Sequence, residues 1–273
     1  MSTGPIADLV RLPAFAGESA REFVRELARA AATSCTGVLR VTGEPGGTVH
    51  LVDGLIVMVE SPGAPGVREL LSRPGRTLHG AAELRVVTMM AALDSAFAIG
   101  AGWIEGCQRY DQVPEPVAPL PGIDPGWLLL ETDRRLRAID HGGVSPHRSH
   151  LILTDTGRAL LSGRGIGERQ QILLWVNGRR SCRDIAMLLC RSLYAVTVEV
   201  SRMLGQDLVR IAPVVREPPR ESEPSRGGTV RSLLPRRRRG ASGINDALPP
   251  RPPQPPPAEI PSVAPLRKSE RTQ

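Results

Sequence analysis

The chain has 273 residues, enough for one large domain or two small ones. Hydrophobic residues make up 41% and aromatic residues only 3%, so a core has to rest on aliphatic side chains. Residues 214–273 carry 12 basic and 6 acidic side chains, which leaves 23 and 22 for the rest of the chain. The net charge of +7 therefore lies mainly in the C-terminal tail, and the near-neutral body lacks the concentrated basic face of a typical duplex-binding domain.

Cysteine usage and hydropathy favour a cytoplasmic protein. The four cysteines are scattered, at Cys35, Cys107, Cys182 and Cys190. They form no C-x-x-C pair, which favours reduced, buried thiols. Residues 1–15 lack the basic segment and apolar run of a secretory signal. The most apolar stretch, residues 86–104, is interrupted by Asp94, and its unbroken parts are shorter than the roughly 20 residues that span a bilayer.

The first half of the chain predicts a helix followed by antiparallel strands. Apolar residues at i, i+3 and i+4 predict an amphipathic helix over 18–31. Asp53-Gly54 is typical of a two-residue hairpin turn, in which both positions need a positive φ. The further predicted elements are strands at 37–41, 48–52 and 55–59, a helical turn over 67–72, a helix over 81–99, and a short strand or packed end at Trp103-Ile104.

The second half begins with a proline-rich linker at residues 108–122. Asp124-Pro125 predicts an N-cap and first turn of a helix that runs to about Ile139. Ser181 and Asp184 have the spacing of a capping box. The elements predicted after that first helix are a loop at 141–150, a strand at 151–153, a turn and short helix at 154–162, helices at 168–176, 181–190 and 194–204, and a strand at 208–215.

The pattern of structured elements stops after Pro213. Residues 214–273 hold 13 of the 26 prolines and no aromatic residue. Such a segment buries too little apolar surface to offset the entropy of ordering, so we expect a disordered tail.

One resemblance to a known family rests on the strands. Gly37-Val-Leu-Arg-Val, then Val49-His-Leu-Val-Asp-Gly-Leu-Ile-Val, then Gly66-Val-Arg-Glu-Leu-Leu resembles the PATAN-type domain of bacterial signalling proteins. The resemblance covers residues 18 to 107 and implies an interaction module without catalytic residues. The helix at 128–136 also resembles the segment that follows this domain in related proteins.

A second resemblance covers residues 172–211. Their order of helix, Asn-Gly turn, helix, third helix and strand is similar to a small winged-helix unit of bacterial transcription regulators. Leu153-Thr-x-x-Gly-Arg-Ala-Leu160 resembles the wing-to-helix step of the MarR family. Here that step precedes the three helices instead of following them, which departs from the MarR order.

We therefore expect an α+β fold in which a small antiparallel β meander with helices is linked to a winged-helix-like module and a disordered tail. The predicted divisions are an N-terminal extension at 1–17, a PATAN-like domain at 18–107, a linker at 108–122, a connecting helix and strand at 123–165, a winged-helix-like domain at 166–213 and the tail at 214–273.

The candidate nucleic-acid contacts are arginines of the winged-helix-like module and of the tail. They are Arg179, Arg180, Arg183, Arg191, Arg202, Arg236, Arg237, Arg238 and Arg239. The positions of the third helix that we expect to face outward are Thr197, Glu199, Ser201 and Arg202, a poor set for reading bases. The four consecutive arginines of the tail suit phosphate contacts, an anionic membrane surface or simple solubility.

No motif points to catalysis, and we expect no cofactor or resident metal. His141, His147 and His150 are close in sequence, but a solvated loop explains them better than a zinc site. The glycine-rich stretches at 43–47 and 163–167 match turn chemistry, and neither matches a phosphate-binding motif. The leading hypothesis is a non-enzymatic regulatory or signalling adaptor with an unidentified protein partner. The alternative is a DNA-binding transcriptional regulator that uses the winged helix and the arginine-rich tail.

Overall fold

The computed structural model describes residues 12–74, 80–111, 122–140, 142–162 and 167–213. Residues 1–215 form one compact unit, and the α+β class predicted from the sequence is confirmed. The predicted disordered tail, including Arg236 to Arg239, and the linker prolines lie outside the described residues. A single turn of 3-10 helix, Pro13–Phe15, precedes the first long helix.

Four antiparallel strands form the main sheet. They are β1 (Gly37–Glu44), β2 (Gly47–Val52), β3 (Leu55–Glu60) and β4 (Trp103–Tyr110), in the spatial order β3-β2-β1-β4. The predicted hairpin turn is confirmed, because Asp53 and Gly54 have φ values of 51° and 78°. Register follows from the turns, with Leu39 opposite Val49 and Leu51 opposite Ile56. These apolar residues share the inner face of the sheet, where all are buried.

Strand β4 is longer than predicted. It pairs with β1 from Trp103 opposite Glu44 to Tyr110 opposite Val38. Residues 108–110 therefore belong to a strand, which corrects the start of the predicted linker. The sequence of β4 has no clean apolar alternation because this strand lies at the sheet edge and is only partly covered.

Two helices pack on the inner face of the sheet, and a third packs against both of them. The first two are α1 (Glu18–Ala32) and α3 (Ala81–Gly100), the third is α4 (Pro125–Asp140), and the short α2 (Val67–Leu71) packs on α3. The amphipathic pattern of α1 fits this role, because Phe23, Val24 and Leu27 are buried and its charged residues lie on the other side. The C-terminal half of α3, residues 91–99, is buried on almost all sides and forms the centre of the molecule.

The remaining elements form a helical half with a small second sheet. They are β5 (Leu151–Leu153), α5 (Asp155–Leu161), α6 (Glu168–Leu173), α7 (Cys182–Leu189), α8 (Leu193–Gly205) and β6 (Val209–Ile211). Strands β5 and β6 pair antiparallel, with Leu151 opposite Ile211. The predicted capping box is confirmed: the hydroxyl of Ser181 accepts the Asp184 amide and the Asp184 carboxylate accepts the Ser181 amide at 2.9 Å.

One continuous core joins the sheet and the helical half. It includes Leu39 and Phe97 from the first part of the chain, Leu129 from α4, and Leu173 and Met203 from the helical half. The division between a PATAN-like domain and a winged-helix-like domain remains a prediction, and these two segments share their buried surface.

Candidate functional site

A buried carboxylate on α3 binds the beginning of α8. Asp94 is almost fully buried, and its Oδ2 accepts a hydrogen bond from the Leu193 amide at 2.8 Å. Its Oδ1 accepts the Ser192 hydroxyl at 3.0 Å and the Tyr194 amide at 3.4 Å. The first amide groups of a helix have no partner within the helix and carry a partial positive charge, so a carboxylate there stabilises the helix end. Asp94 therefore acts as an N-terminal cap supplied by a different helix.

The positive charge that accompanies Asp94 comes from α4. Arg135 lies 3.6 Å from Oδ1 of Asp94, and its guanidinium stacks 4.8 Å from the centre of the Tyr194 ring. Arg135 also donates to Glu131 at 2.8 Å. Tyr194 in turn packs edge-on against Phe97, with ring centres 5.3 Å apart. The arrangement fixes α3, α4 and α8 at one point.

Burial raises the pKa of Asp94, and the hydrogen bonds from Ser192 and the α8 backbone, together with the charge of Arg135, partly offset that rise. The hydrogen bond from Arg134 lowers the pKa of Glu131 to about 2, despite some burial. Every polar contact of Asp94 holds a helix in place, and the carboxylate is screened from solvent. This geometry suits the positioning of helices better than acid–base chemistry.

A second junction surrounds His147. Its Nε2 lies 3.0 Å from the carbonyl oxygen of Ala98, so that ring nitrogen donates a hydrogen bond. Nδ1 is buried without a hydrogen-bond partner among the described residues. Burial lowers the pKa of His147, which keeps the ring neutral. Nearby, Arg183 Nε donates to the Pro62 carbonyl at 3.1 Å, and Arg148 lies 3.4 Å from Glu44. The loop at 145–149 thereby contacts α3 and β1, and α7 contacts the loop that follows β3.

Five of the nine predicted nucleic-acid arginines lie in the described residues, and four of those five make contacts within the chain. Arg180 stacks on Trp175 at 4.9 Å and donates to its carbonyl oxygen. Arg191 is largely buried and lies 3.2 Å from Glu168. Arg202 pairs with Glu199 at 3.2 Å, and Arg183 binds the Pro62 carbonyl as described above. Arg179 is exposed. Arg180, Arg183 and Arg191 are therefore committed to partners within the chain, whereas Arg179 and Arg202 keep exposed side chains.

Helix α8 is more deeply buried than its sequence pattern predicts. Thr197, expected to face outward, is 0% exposed and its hydroxyl donates to the Leu193 carbonyl at 2.8 Å. That expectation was wrong because α3, α4, α7 and β6 all contact α8, which leaves room for only a narrow wet side. Glu199 is held by Arg169 as well as by Arg202. Of the four positions expected to face outward, Thr197 is therefore buried, Glu199 and Ser201 are half-buried, and Arg202 is exposed.

The described residues line two sizeable surface clefts that bear on binding. One, of about 650 Å³, lies between the end of β3, α2 and α3 and has a mainly apolar lining that includes Met58, Ala91 and Met187. The other, of about 580 Å³, lies between the Pro13–Phe15 turn and the C-terminal end of α4. Methionine side chains adapt to differently shaped apolar partners, so the first cleft is the better candidate for binding.

Within the described parts of the chain, no three His, Cys, Asp or Glu side chains are grouped closely enough to hold a metal ion. His147 is committed to Ala98, His150 is exposed, and His141 lies outside the described residues. The stretch at 43–47 forms the β1–β2 turn. None of the described helices is long and apolar enough to cross a membrane.

Sequence reasoning missed the role of Asp94. The available signal was a single carboxylate inside the apolar stretch at residues 86–104, since such a group is almost never buried without partners. Its partners lie about a hundred residues later, and no local pattern identifies them.

Comparisons with known proteins found no match for this chain among protein-family models, curated proteins or solved structures.

Proposed function

We propose that this chain is a non-enzymatic regulatory or signalling adaptor that binds protein partners in the cytoplasm. The observation that carries the proposal is the burial of α8, whose N-terminal end is bound by Asp94 and stacked on Arg135. A winged-helix regulator reads the major groove mainly with the N-terminal residues of this helix. Here the first two residues of the helix, Leu193 and Tyr194, face α3 and α4, so their insertion into a groove would require them to leave these contacts.

The resemblance to the PATAN-type domain supports the same proposal. The antiparallel strands and the Asp53-Gly54 hairpin that carry the resemblance are present, and such domains resemble interaction modules. The winged-helix-like character of residues 166–213 belongs to this proposal as well. Under this proposal, the three helices α6 to α8 and the β5–β6 pair form a winged-helix-like unit that binds protein and not DNA.

The apolar cleft beside α2 and α3 is the surface we propose for a protein partner. It is lined by two methionines, Met58 from the sheet and Met187 from α7. A partner seated there would contact both halves of the body at once, which suits a protein that transmits a binding event.

The alternative is a DNA-binding transcriptional regulator. It draws on the exposed Arg179 beside α7 and on the arginines at 236–239. This alternative requires phosphate contacts from the edge of the helical half and from the tail, without base reading by α8.

DNA titrations of residues 1–215 and of the full chain, across salt concentrations, separate the two proposals. We expect the isolated body to bind random and genomic DNA weakly. Strong binding by the body with a steep salt dependence would overturn the adaptor proposal, because such a slope reports released phosphate counterions. Binding only by the full chain would assign the effect to the tail.

Affinity capture with mass spectrometry tests the cleft. The full chain is compared with Met187→Lys, which places a charge in the cleft, and with Leu188→Lys, an exposed position on the same helix. We expect a partner retained by the wild type and by Leu188→Lys but lost with Met187→Lys. Equal capture by all three would reject the cleft as the binding surface.

A further inference from the structure

Helix α4 carries an exposed stripe on the side that faces away from the core. Trp127 is 48% exposed and Leu130 is 55% exposed, and the side chain of Arg134 is 60% exposed. Their spacing of i, i+3 and i+7 places them on one side of the helix. Leu128 and Leu129 on the opposite side are buried in the core. We call Trp127, Leu130 and Arg134 the α4 stripe.

Arg134 is held in a fixed orientation. Its Nε and Nη2 donate to the two oxygens of Glu131 at 2.7 and 2.8 Å, a bidentate pair. Such a pair occupies one edge of the planar guanidinium and leaves its flat face free. That face is the part of an arginine that stacks on an aromatic ring, and tryptophan is the best acceptor for it.

The α4 stripe is complementary to itself. Trp127 and Arg134 are seven residues apart, or about 10.5 Å along the helix axis, and Leu130 lies close to their midpoint. If two copies of α4 pack antiparallel about a two-fold axis beside Leu130, each Trp127 meets Arg134 of the partner subunit. The two Leu130 side chains then meet at the centre, and the same contact forms twice.

We propose that two copies of this chain associate through the α4 stripe in this antiparallel arrangement. The contact joins an apolar centre to a tryptophan–arginine stack on each side, which is the composition of strong interface positions. Leu55, which is also exposed, lies beside Gly122 just ahead of α4. The proposal does not depend on the adaptor function.

Sedimentation velocity of the purified full chain over a range of concentrations tests the association. We expect a reversible monomer–dimer equilibrium and, for Leu130→Glu, a dimer dissociation constant at least tenfold larger. Val86→Glu is the matched control, because Val86 is 57% exposed on α3 and lies outside the stripe. A protein that is monomeric at every concentration overturns the proposal, as does a dimer that Leu130→Glu leaves unchanged.

An exchange of side chains tests the antiparallel register. Trp127→Arg places two guanidinium groups against each other and should weaken the dimer by at least tenfold. The double variant Trp127→Arg/Arg134→Trp restores an arginine–tryptophan contact with the roles reversed, so association should recover. Circular dichroism checks that both variants retain the fold. A double variant as weak as the single one overturns the proposed pairing, and neither result depends on capturing a partner protein.

Discussion

Removal of the Asp94 carboxylate should weaken the junction between α3 and α8 more than any surface change. Asp94→Ala deletes hydrogen bonds from Ser192, Leu193 and Tyr194 and leaves Glu131 as the carboxylate that still pairs with Arg135. Breaking a buried charged pair costs about 3–5 kcal/mol. Because Glu131 still neutralises Arg135, we expect the lower end, about 3 kcal/mol of unfolding free energy. That is a large share of the roughly 5–15 kcal/mol that stabilises a typical protein.

Asp94→Asn separates the charge from the hydrogen bonds. The amide oxygen can still accept the Leu193 amide, so we expect a smaller loss of about 1–2 kcal/mol. Urea unfolding of the full chain measures both values, and amide hydrogen exchange should show lost protection at the start of α8. The control is Asp140→Asn, which neutralises an exposed carboxylate at the end of α4 and should not destabilise. A loss below about 1 kcal/mol for Asp94→Ala would refute the assignment of Asp94 as the cap of α8.

Three further predictions concern pH, thiol reactivity and backbone packing. Burial lowers the pKa of His50 and of His147, so the folded chain binds fewer protons than the unfolded chain as pH falls below about 6.5. The unfolding free energy should therefore fall as pH drops below about 6.5. His147→Gln removes one of the two histidines and should reduce the slope of the unfolding free energy against pH, and an unchanged slope would contradict a role for His147. Burial raises the pKa of Cys182 to about 12, so this thiol should react with iodoacetamide only when the chain unfolds. Mass spectrometry locates the labelled cysteine, and rapid labelling of Cys182 in the native chain would contradict its burial. A Cβ at Gly157 would lie 2.1 Å from a backbone carbonyl oxygen just ahead of β6, so Gly157→Ala should lower the unfolding free energy by more than about 2 kcal/mol. Gly205→Ala, at the open end of α8, should instead raise the unfolding free energy by about 0.5–1 kcal/mol. Equal effects of the two substitutions would show that the backbone does not approach Gly157 closely.

The elements that could be predicted from the sequence are those with a local cause. Asp53-Gly54 predicts its turn because both residues tolerate a positive φ. Asp124 and Ser181 predict helix starts because their side chains can accept a hydrogen bond from a backbone amide two or three residues ahead. The Asp124 carboxylate accepts the Trp127 amide at 2.7 Å, and the Ser181 hydroxyl accepts the Asp184 amide. The structure bears out these three positions.

The predictions that failed or stopped short depend on distant packing. Periodicity assigns one buried side to α8, but contacts from four other elements also bury Thr197. The length of β4 was missed because an edge strand needs no apolar alternation, and its pairing partner, β1, lies about sixty to seventy positions earlier in the chain. For the candidate arginines, the sequence shows the charge but does not identify the partner. The stacking of Arg180 on Trp175 and the pairing of Arg191 with Glu168 could therefore not be predicted.

The connection between Asp94 and α8 also bears on the kinetics of folding. The carboxylate and the Leu193 amide are 99 residues apart, and Asp133 binds the Ala14 amide across 119 residues. Closing a loop of about a hundred residues costs roughly 4 kcal/mol of chain entropy before any contact is gained. Non-local contacts of this kind slow folding, so the hairpins and single helices should form early and the joining of the two halves should be the slow, final step. A folding intermediate in which α8 has not yet packed would expose the apolar C-terminal half of α3. We expect aggregation to begin from that intermediate.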